Sequence, residues 1–527
     1  MTRLAVPLTA KNETDLLARI RRSQELGAEA VEVRLDFLTE PVDYARVVKA
    51  CAAMPIIWTN RSPAEGGSGE GILTDSEDRR IGELMAAASA GGRYVDIEYQ
   101  CWSASEKLRK QITSQLASLR KSGQIKLILS YHNFKGVPKD IDRMVEAMTV
   151  DADVVKFAVM AKDIFDNFVV FDAIRACRKL NKPVIGLAMG PAGEISRILA
   201  KKLGGEITFA SLDDKSESAP GQLTISELTK TYNWDRIGPE TKVLGVVGHP
   251  IEQSLSPPMH NAAYQQMGFP GVYLRFDVPK DYASFEQFID RLRRFPDALG
   301  VSVTIPHKSN AIQYVKSHSG TLDGLAEHIG AVNTLKFYPD GTVAGINSDY
   351  LGFITALIEG AGLLLEELEG KRLAVLGAGG VSRAIVAAMK ERKAEVTIYN
   401  RTAARAEALA KEFECACRPW DERYRLKAEI VINGTSIGMS PNVDESPLDA
   451  SAIKPGMIVF DTVYNPLETK LLRLAGEAGA KTIDGLSMLV YQAYEQIEFW
   501  TENRYNVHGC ISTMRDVALK SLKNKKA

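Results

Sequence analysis

Lys156 stands in the middle of VVKFAV, an apolar run that reads as a buried β-strand. Alternate side chains of a strand share a face, so Lys156 points with Val154 and Ala158 and away from Val155 and Phe157. A lysine turned into the interior of a barrel loses hydration, which makes the neutral amine accessible near pH 7. Such an amine adds to a ketone and forms a Schiff base. Taken alone, the residue reads more simply as a salt-bridged lysine, or as one reaching to the rim. Its neighbours argue for chemistry. His132 closes the preceding strand in SYHNF, and Glu32 and Arg34 share one face of EVRLD. Arg61 ends the third strand, Glu65 follows in RSPAEGG, and Arg197 comes after the seventh strand. Polar residues at the carboxyl ends of several strands are how a barrel builds an active site.

The second half carries other chemistry. LAVLGAGGVSR (373–383) follows a strand and opens a helix, as a dinucleotide-binding turn does. The next strand ends in Tyr399-Asn400-Arg401-Thr402, where an NAD site has an acid for the ribose hydroxyl. Asn400 and Arg401 suit a 2′-phosphate instead, so NADP(H) is expected. The alternative is that Arg401 is a surface residue, but a cation at a helix N-terminus is mildly unfavourable without an anion. Lys308 in SVTIPHK and Asp349 in GINSDY form a pair able to hand a proton to a carbonyl oxygen. Separately, each reads as a solvated loop residue.

These residues need elements to hold them. Eight short apolar runs, 4–8, 30–36, 55–61, 94–99, 126–132, 154–159, 183–189 and 206–211, alternate with helical patterns. That is the beat of a (β/α)8 barrel. The turn-rich stretch 223–241 reads as a linker. A second α/β pattern has strands at 242–248, 271–278 and 298–304. A strand–turn–helix–strand unit follows at 372–401, with further strands at 429–435, 457–465 and 481–485. The fold class expected is α/β: a barrel over 1–222, then a two-domain dehydrogenase. Its substrate domain spans 242–350 with a C-terminal helical segment at 486–527, around a Rossmann-like NADP domain at 351–485.

Composition narrows the function classes. The 527 residues are 45% hydrophobic and 25% charged, with a net charge of −1, so no electrostatic case exists for nucleic acid or a membrane surface. The short basic tail (Lys520, Lys523, Lys525, Lys526) reads as a solvated helix end. No apolar run approaches the ~18–20 residues of a membrane span, and the N-terminus lacks the pattern of a signal or transit peptide. Six scattered cysteines and seven histidines show no metal-ligand spacing, so no metal is expected. A cytoplasmic enzyme acting on small molecules is the simplest reading. Nothing in the sequence bears on oligomeric state.

EVRLD, RSPAEGG, SYHNF, VVKFAVM, ISR and SAPGQ occur in order across residues 1–222, which thereby resemble type I 3-dehydroquinate dehydratases. The resemblance implies an iminium between Lys156 and the substrate ketone, with His132 as the proton-transfer group. It implies Arg197 on the substrate carboxylate, Glu32, Arg34 and Arg61 on ring hydroxyls, and Ser218 and Gln222 closing the site. Glu65 belongs to the same set.

From Lys242 to at least Trp500 the chain is similar to shikimate dehydrogenases, through QSLSPPMHN, SVTIPHK, GAVNT, GINSD, GAGG, YNRT, NGTSIGM, DTVYNP, DGLSML and YQAYEQIEFW. This resemblance implies Lys308 and Asp349 as the catalytic dyad and Ser254 and Ser256 on the substrate carboxylate. It puts Thr304, Asn333, Tyr464 and Gln492 around the ring. The cofactor would lie on Gly377, Ala378, Gly379 and Gly380, with Asn400, Arg401 and Thr402 at its 2′-phosphate and Thr435 nearby. Three departures stand out: Ser348 where threonine is common, and Ser382 and Gly434 where alanine is common. Ser254 and Thr304 favour shikimate over quinate. Together the halves resemble the plant fusion that dehydrates 3-dehydroquinate and reduces the product. Two alternatives stay open: a class I aldolase-like Schiff-base lyase in the first half, and a non-catalytic NADPH sensor in the second.

Overall fold

The computed structural model describes residues 2–52, 54–69, 71, 76–213 and 218–524. It separates into two compact units, Met1–Thr241 and Lys242–Ala527. Of the basic tail, Lys525 and Lys526 lie outside the described residues.

The first unit is an all-parallel sheet of eight strands. They are β1 (Arg3–Leu8), β2 (Ala30–Arg34), β3 (Ile56–Thr59), β4 (Tyr94–Glu98), β5 (Lys126–Asn133), β6 (Val154–Met160), β7 (Val184–Met189) and β8 (Ile207–Phe209). Their order is β7-β6-β5-β4-β3-β2-β1-β8. The backbone N–H of Glu206 donates to the carbonyl of Val184 at 2.7 Å across the seam, so the barrel is nearly closed. Ile57, Tyr94, Ile128, Val154 and Ile185 fill its floor. Lys156 lies opposite Ser130 in register, and His132 opposite Ala158. Lys156 therefore points inward with Val154 and Ala158, as the alternation requires.

The stretch expected as a linker is folded onto this barrel. Ser211 and Thr224 form a parallel bridge. Leu228, Tyr232 and Trp234 are buried, with Trp234 only 1% exposed. Tyr232 donates to Glu194 Oε1 at 2.5 Å, and the ammonium of Lys201 sits 5.2 Å from the Trp234 ring centroid. Turn-forming residues between the apolar positions hid this packing in the sequence.

The second unit has two six-stranded sheets. The first contains β9 (Lys242–Gly248), β10 (Gly271–Asp277), β11 (Ala298–Val303), β12 (Thr321–Leu322), β13 (Thr334–Phe337) and β14 (Val343–Ile346), in the order β10-β9-β11-β13-β14-β12. β13 runs antiparallel to both neighbours. The last three strands are short and were not expected. Yet Tyr338-Pro339-Asp340-Gly341 is a hairpin turn, with Gly341 at φ +86° and Tyr338 N–H bonded to Thr342 O.

The second sheet contains β15 (Arg372–Leu376), β16 (Glu395–Asn400), β17 (Ala416–Pro419), β18 (Ile430–Asn433), β19 (Ile458–Asp461) and β20 (Lys481–Ile483). All pairs are parallel, in the order β17-β16-β15-β18-β19-β20. This is the doubly wound arrangement, whose switch point lies between β15 and β18. The polar strand β17 was also not expected. Beyond β20 come two helices, Gly485–Thr501 and Ile511–Asn524. They return to the first sheet's core, where Ile497, Trp500, Met514 and Ala518 pack with Leu244, Met259 and Tyr273.

Trp234→Ala should destabilise the first unit by about 3–5 kcal/mol, the cost of removing a buried tryptophan. Chemical denaturation followed by dehydration activity should show an earlier midpoint for that unit only. An unchanged midpoint would show that 223–241 is not part of the barrel's stability.

Candidate functional site

Inside the barrel, Lys156 is 4% exposed and its Nζ lies 3.0 Å from Glu32 Oε1 and 2.8 Å from Asp96 Oδ2. The Phe209 ring lies 4.8 Å away. The structure shows the salt-bridged arrangement: the ammonium is not stranded in apolar walls but held by two carboxylates. Arg61 reaches the same Asp96 Oδ2 at 2.9 Å and donates to Ser130 at 2.7 Å. Burial opposes ionisation of Asp96, but Arg61 and Lys156 outweigh it and hold the carboxyl far below its usual range.

His132 places its backbone N–H and its ring Nδ1 against Glu65 Oε2, at 3.1 and 3.0 Å. Burial, reinforced by the Arg61 and Lys156 cations, pushes the imidazole well below the ordinary histidine value. Burial pushes Glu65 up to about 7, aided by Glu98 and opposed by Arg61. Its second oxygen, Oε1, is buried with no hydrogen-bond partner among the described residues. Nδ1 is occupied by Glu65, so Nε2 is the ring atom available to a substrate proton.

Glu32, Arg34, Arg61, Glu65, His132 and Lys156 line one cavity with Arg197, Ser218 and Gln222. Every first-half residue expected at the site is therefore brought together. Arg34 is forked onto Asp36 at 2.8 and 2.6 Å, and Ser218 is bonded through its N–H and hydroxyl to Gln222 Oε1. Asp96, Glu98 and Asp36 were missed as functional groups. Asp96 and Glu98 alternate in YVDIEY as Glu32 and Arg34 do in EVRLD, and that signal was available.

In the second unit, Lys308 begins the helix Lys308–Ser317, and Asp349 lies in the first turn of Ser348–Ala361. Lys308 Nζ contacts Asp349 Oδ2 directly. The separate reading of two solvated loop residues is corrected: Asp349 is 2% exposed, and a carboxylate is favoured in the first turn of a helix. Both line a cleft of about 450 Å³ with Ser254, Ser256, Thr304, Tyr464 and Gln492. Ser256 opens the helix Ser256–Met267 and its N–H bonds Ser254 Oγ at 3.3 Å, so the two hydroxyls stand together in the cleft wall, while Pro257 and Pro258 leave the helix start without further amides.

Asn333 does not line the cleft; it is fully enclosed, bonded to Ser348 through Nδ2 at 3.0 Å and to Thr334. Ser348 also accepts from Gln496 at 3.1 Å, so the hydroxyl kept at this departure is in use. Ser302 and Gln496, both in the cleft wall, were not anticipated.

The glycine turn lies where β15 meets its helix, Gly380–Glu391. Gly377 has φ +109°, and a Cβ there would press on Thr435 and Gly434. At Gly379 and Gly380 a Cβ would meet nothing within 4 Å, and Gly379 leaves the helix N-terminus without a side-chain cap. Ala378 leans against the core. Open amides at an uncapped helix start fit a pyrophosphate. Thr435 is fixed by Asn433, which accepts from its N–H and hydroxyl at 3.0 and 2.6 Å. The departures at 382 and 434 compensate each other: a Cβ at Gly434 would lie 2.3 Å from Ser382 Oγ. Asn400 ends β16 and donates to Thr402 O, Arg401 is exposed, and the helix Ala403–Glu412 begins uncapped. Arg405, one turn on and also exposed, adds a cation the sequence reading passed over. Among the described residues, no cluster has the ligands for a metal ion.

Residues 4–239 match the type I 3-dehydroquinase family model. Residues 246–335 match the shikimate dehydrogenase substrate binding domain, and 359–461 match shikimate / quinate 5-dehydrogenase. Over 516 residues the chain is 38% identical to the chloroplastic bifunctional 3-dehydroquinate dehydratase/shikimate dehydrogenase of Arabidopsis thaliana, covering 94% of this chain and 82% of that one. The shikimate dehydrogenase (NADP(+)) of Methanocaldococcus jannaschii is 39% identical over 281 residues, 51% of this chain and 95% of that one. A crystal structure of a shikimate dehydrogenase in complex with NADP+ aligns at TM-score 0.50 and 37% identity, over 54% of this chain and 97% of that one.

Asp96→Asn leaves Lys156 and Arg61 short of a buried carboxylate and should cost the first unit about 3–5 kcal/mol. Because folding depresses the pKa of this carboxyl, its stabilisation is complete above the unfolded value of 3.8 and is lost progressively as pH falls below that value toward the folded one. Urea unfolding should therefore show the gap between wild type and variant narrowing below that pH. A constant gap would remove Asp96 from the charge web.

Proposed function

Because the chain belongs to the bifunctional 3-dehydroquinate dehydratase/shikimate dehydrogenase family, we propose that Lys156 carries its first reaction and Lys308 with Asp349 its second. The protein dehydrates 3-dehydroquinate to 3-dehydroshikimate and reduces that product to shikimate with NADPH. The observation that carries the residue assignment is the inward Lys156 between two carboxylates, in one cavity with His132.

In this reading Glu32, 3.0 Å away, takes a proton from the Lys156 ammonium, the freed amine attacks the C3 ketone, and Glu32 returns the proton to the carbinolamine oxygen. Water leaves, and the iminium draws electrons from the adjoining C2–H bond. Neutral His132 takes the C2 proton through Nε2, oriented by the Nδ1 contact with Glu65. The electron pair closes a C1–C2 double bond as the C1 hydroxyl departs, protonated by the same imidazole. Hydrolysis of the imine returns the amine. Arg197 offers the substrate carboxylate a buried guanidinium.

For the second reaction, Ser254 and Ser256 hold the carboxylate at the helix start, and Thr304, Tyr464 and Gln492 surround the ring. Lys308 gives a proton to the carbonyl oxygen and Asp349 keeps the ammonium aimed at it. The turn at 377–380, Thr435 and the Asn400–Thr402 corner would hold NADPH, which supplies the hydrogen delivered to carbon. Asn333 acts from behind the wall, by fixing Ser348 beside Asp349. The serine and threonine hydroxyls at 254 and 304 keep shikimate preferred over quinate. All six cysteines are free thiols, as a reducing compartment maintains them, which supports a cytoplasmic or similarly reducing site of action. An aldolase-like lyase or an NADPH sensor would leave one half of the family match unused.

Sodium borohydride added during turnover should trap substrate on the peptide containing Lys156, read by mass spectrometry. Lys156→Ala should abolish trapping and dehydration while shikimate oxidation persists. Label on another lysine would overturn the assignment. Arg401→Ala should raise the KM for NADPH roughly 10- to 100-fold, the worth of a charged hydrogen bond, and leave that for NADH little changed. Equal effects on both would remove Arg401 from the 2′-phosphate.

A further inference from the structure

Arg383 lies in the first turns of the helix Gly380–Glu391, three residues beyond the last glycine of the cofactor turn. Its guanidinium joins three elements. Nε donates to the carbonyl of Ile329, at the end of the helix Gly324–Ile329 in the substrate-binding half. Nη2 donates to Glu412, the last residue of the helix that begins after the Asn400–Thr402 corner. The guanidinium carbon lies 5.4 Å from the centroid of Phe413. Gly330, the left-handed residue that ends the helix Gly324–Ile329 at φ +71°, lies beside the guanidinium: a Cβ there would be 3.0 Å from Nη2.

The segment that Arg383 grips is the one that places the proton-transfer groups. Val332 N–H donates to the Lys308 carbonyl at 3.3 Å. Asn333 N–H donates to Ile346 O at 3.1 Å, and Val303 N–H to Asn333 O at 2.7 Å. The Asn333 side chain fixes Ser348, the neighbour of Asp349. One fork thus holds the cofactor turn's helix, the far end of the 2′-phosphate helix, and the strap behind Lys308 and Asp349.

We propose that Arg383 is a positioning residue for the reduction, setting the distance between the cofactor turn and the Lys308–Asp349 pair without contributing a group to either. The proposal rests on the assignment of that turn and that pair given above. A planar guanidinium with N–H groups on two edges can serve the carbonyl and the carboxylate together; an ammonium is a point charge and serves one. A small misplacement of reacting groups is costly in rate even when binding persists.

The test uses the full chain with Arg383→Met, Arg383→Lys and Glu412→Gln. NADPH affinity from its fluorescence on binding should stay within about threefold, while kcat for reduction falls on the order of 10- to 100-fold in Arg383→Met. The isotope effect on kcat with NADPH deuterated at the transferred position should increase in the same variant, and by less in Arg383→Lys and Glu412→Gln. Dehydration by the same preparations should be unchanged, which controls for concentration. A folded Arg383→Met protein with wild-type kcat and isotope effect overturns the proposal. So does a loss of NADPH affinity equal to the loss in kcat. If Arg383→Met does not fold, the two milder variants decide on the isotope effect alone. A wild-type chain unable to oxidise shikimate would instead overturn the parent assignment.

Discussion

An ammonium group inside a nearly closed barrel needs carboxylates within reach, and the interior of the first unit is organised by that need. Burying a single unpaired charge costs far more than any one packing contact returns. Lys156 is met by Glu32 and Asp96; Asp96 is shared with Arg61; Arg61 also faces Glu98 at 3.8 Å. Glu98 in turn is held by Arg80 and accepts the Ser62 N–H at 2.7 Å, which fixes the start of the loop bearing Glu65. Glu65 then orients His132. The web runs from Lys156 to His132 without a break, so charge balance and the geometry of the proposed site are one arrangement.

The second unit solves a different problem. The groups assigned to its reaction stand on different sheets and helices, and the constraint is distance rather than charge. Ser348, the chain neighbour of Asp349, is held by Asn333 and Gln496, and the Asp349 N–H donates to Asn347 Oδ1 at 3.1 Å. The cofactor turn sits at the switch point of a doubly wound sheet, where strand order reverses and a crevice opens.

Most of the barrel was legible because inward and outward residues alternate strictly along short strands; VVKFAV announces its faces. The cofactor sheet was legible through its long apolar runs and the glycine turn. β12, β13 and β14 were not, because they are only two to four residues long and their turn signal, PDG, lay among residues being read for chemistry. Asp96 escaped for a related reason: a carboxylate in a strand invites reading as a rim charge unless its same-face partner, Glu98, is weighed with it. Lys308 and Asp349 meet as the pairing anticipated, but the burial of Asp349 was not visible, since it comes from elements far apart in sequence. The match of Ser382 to Gly434 is likewise invisible in one dimension.

The packing of Leu228, Tyr232 and Trp234 against the barrel decides where the polypeptide can be divided. A cut at Gln222 would strip an apolar seat from the dehydratase and leave its sticky counterpart dangling on the dehydrogenase. Severing between Thr241 and Lys242 leaves each fragment with its own hydrophobic contacts intact, and so marks the place to separate the genes or to insert a tether of chosen length.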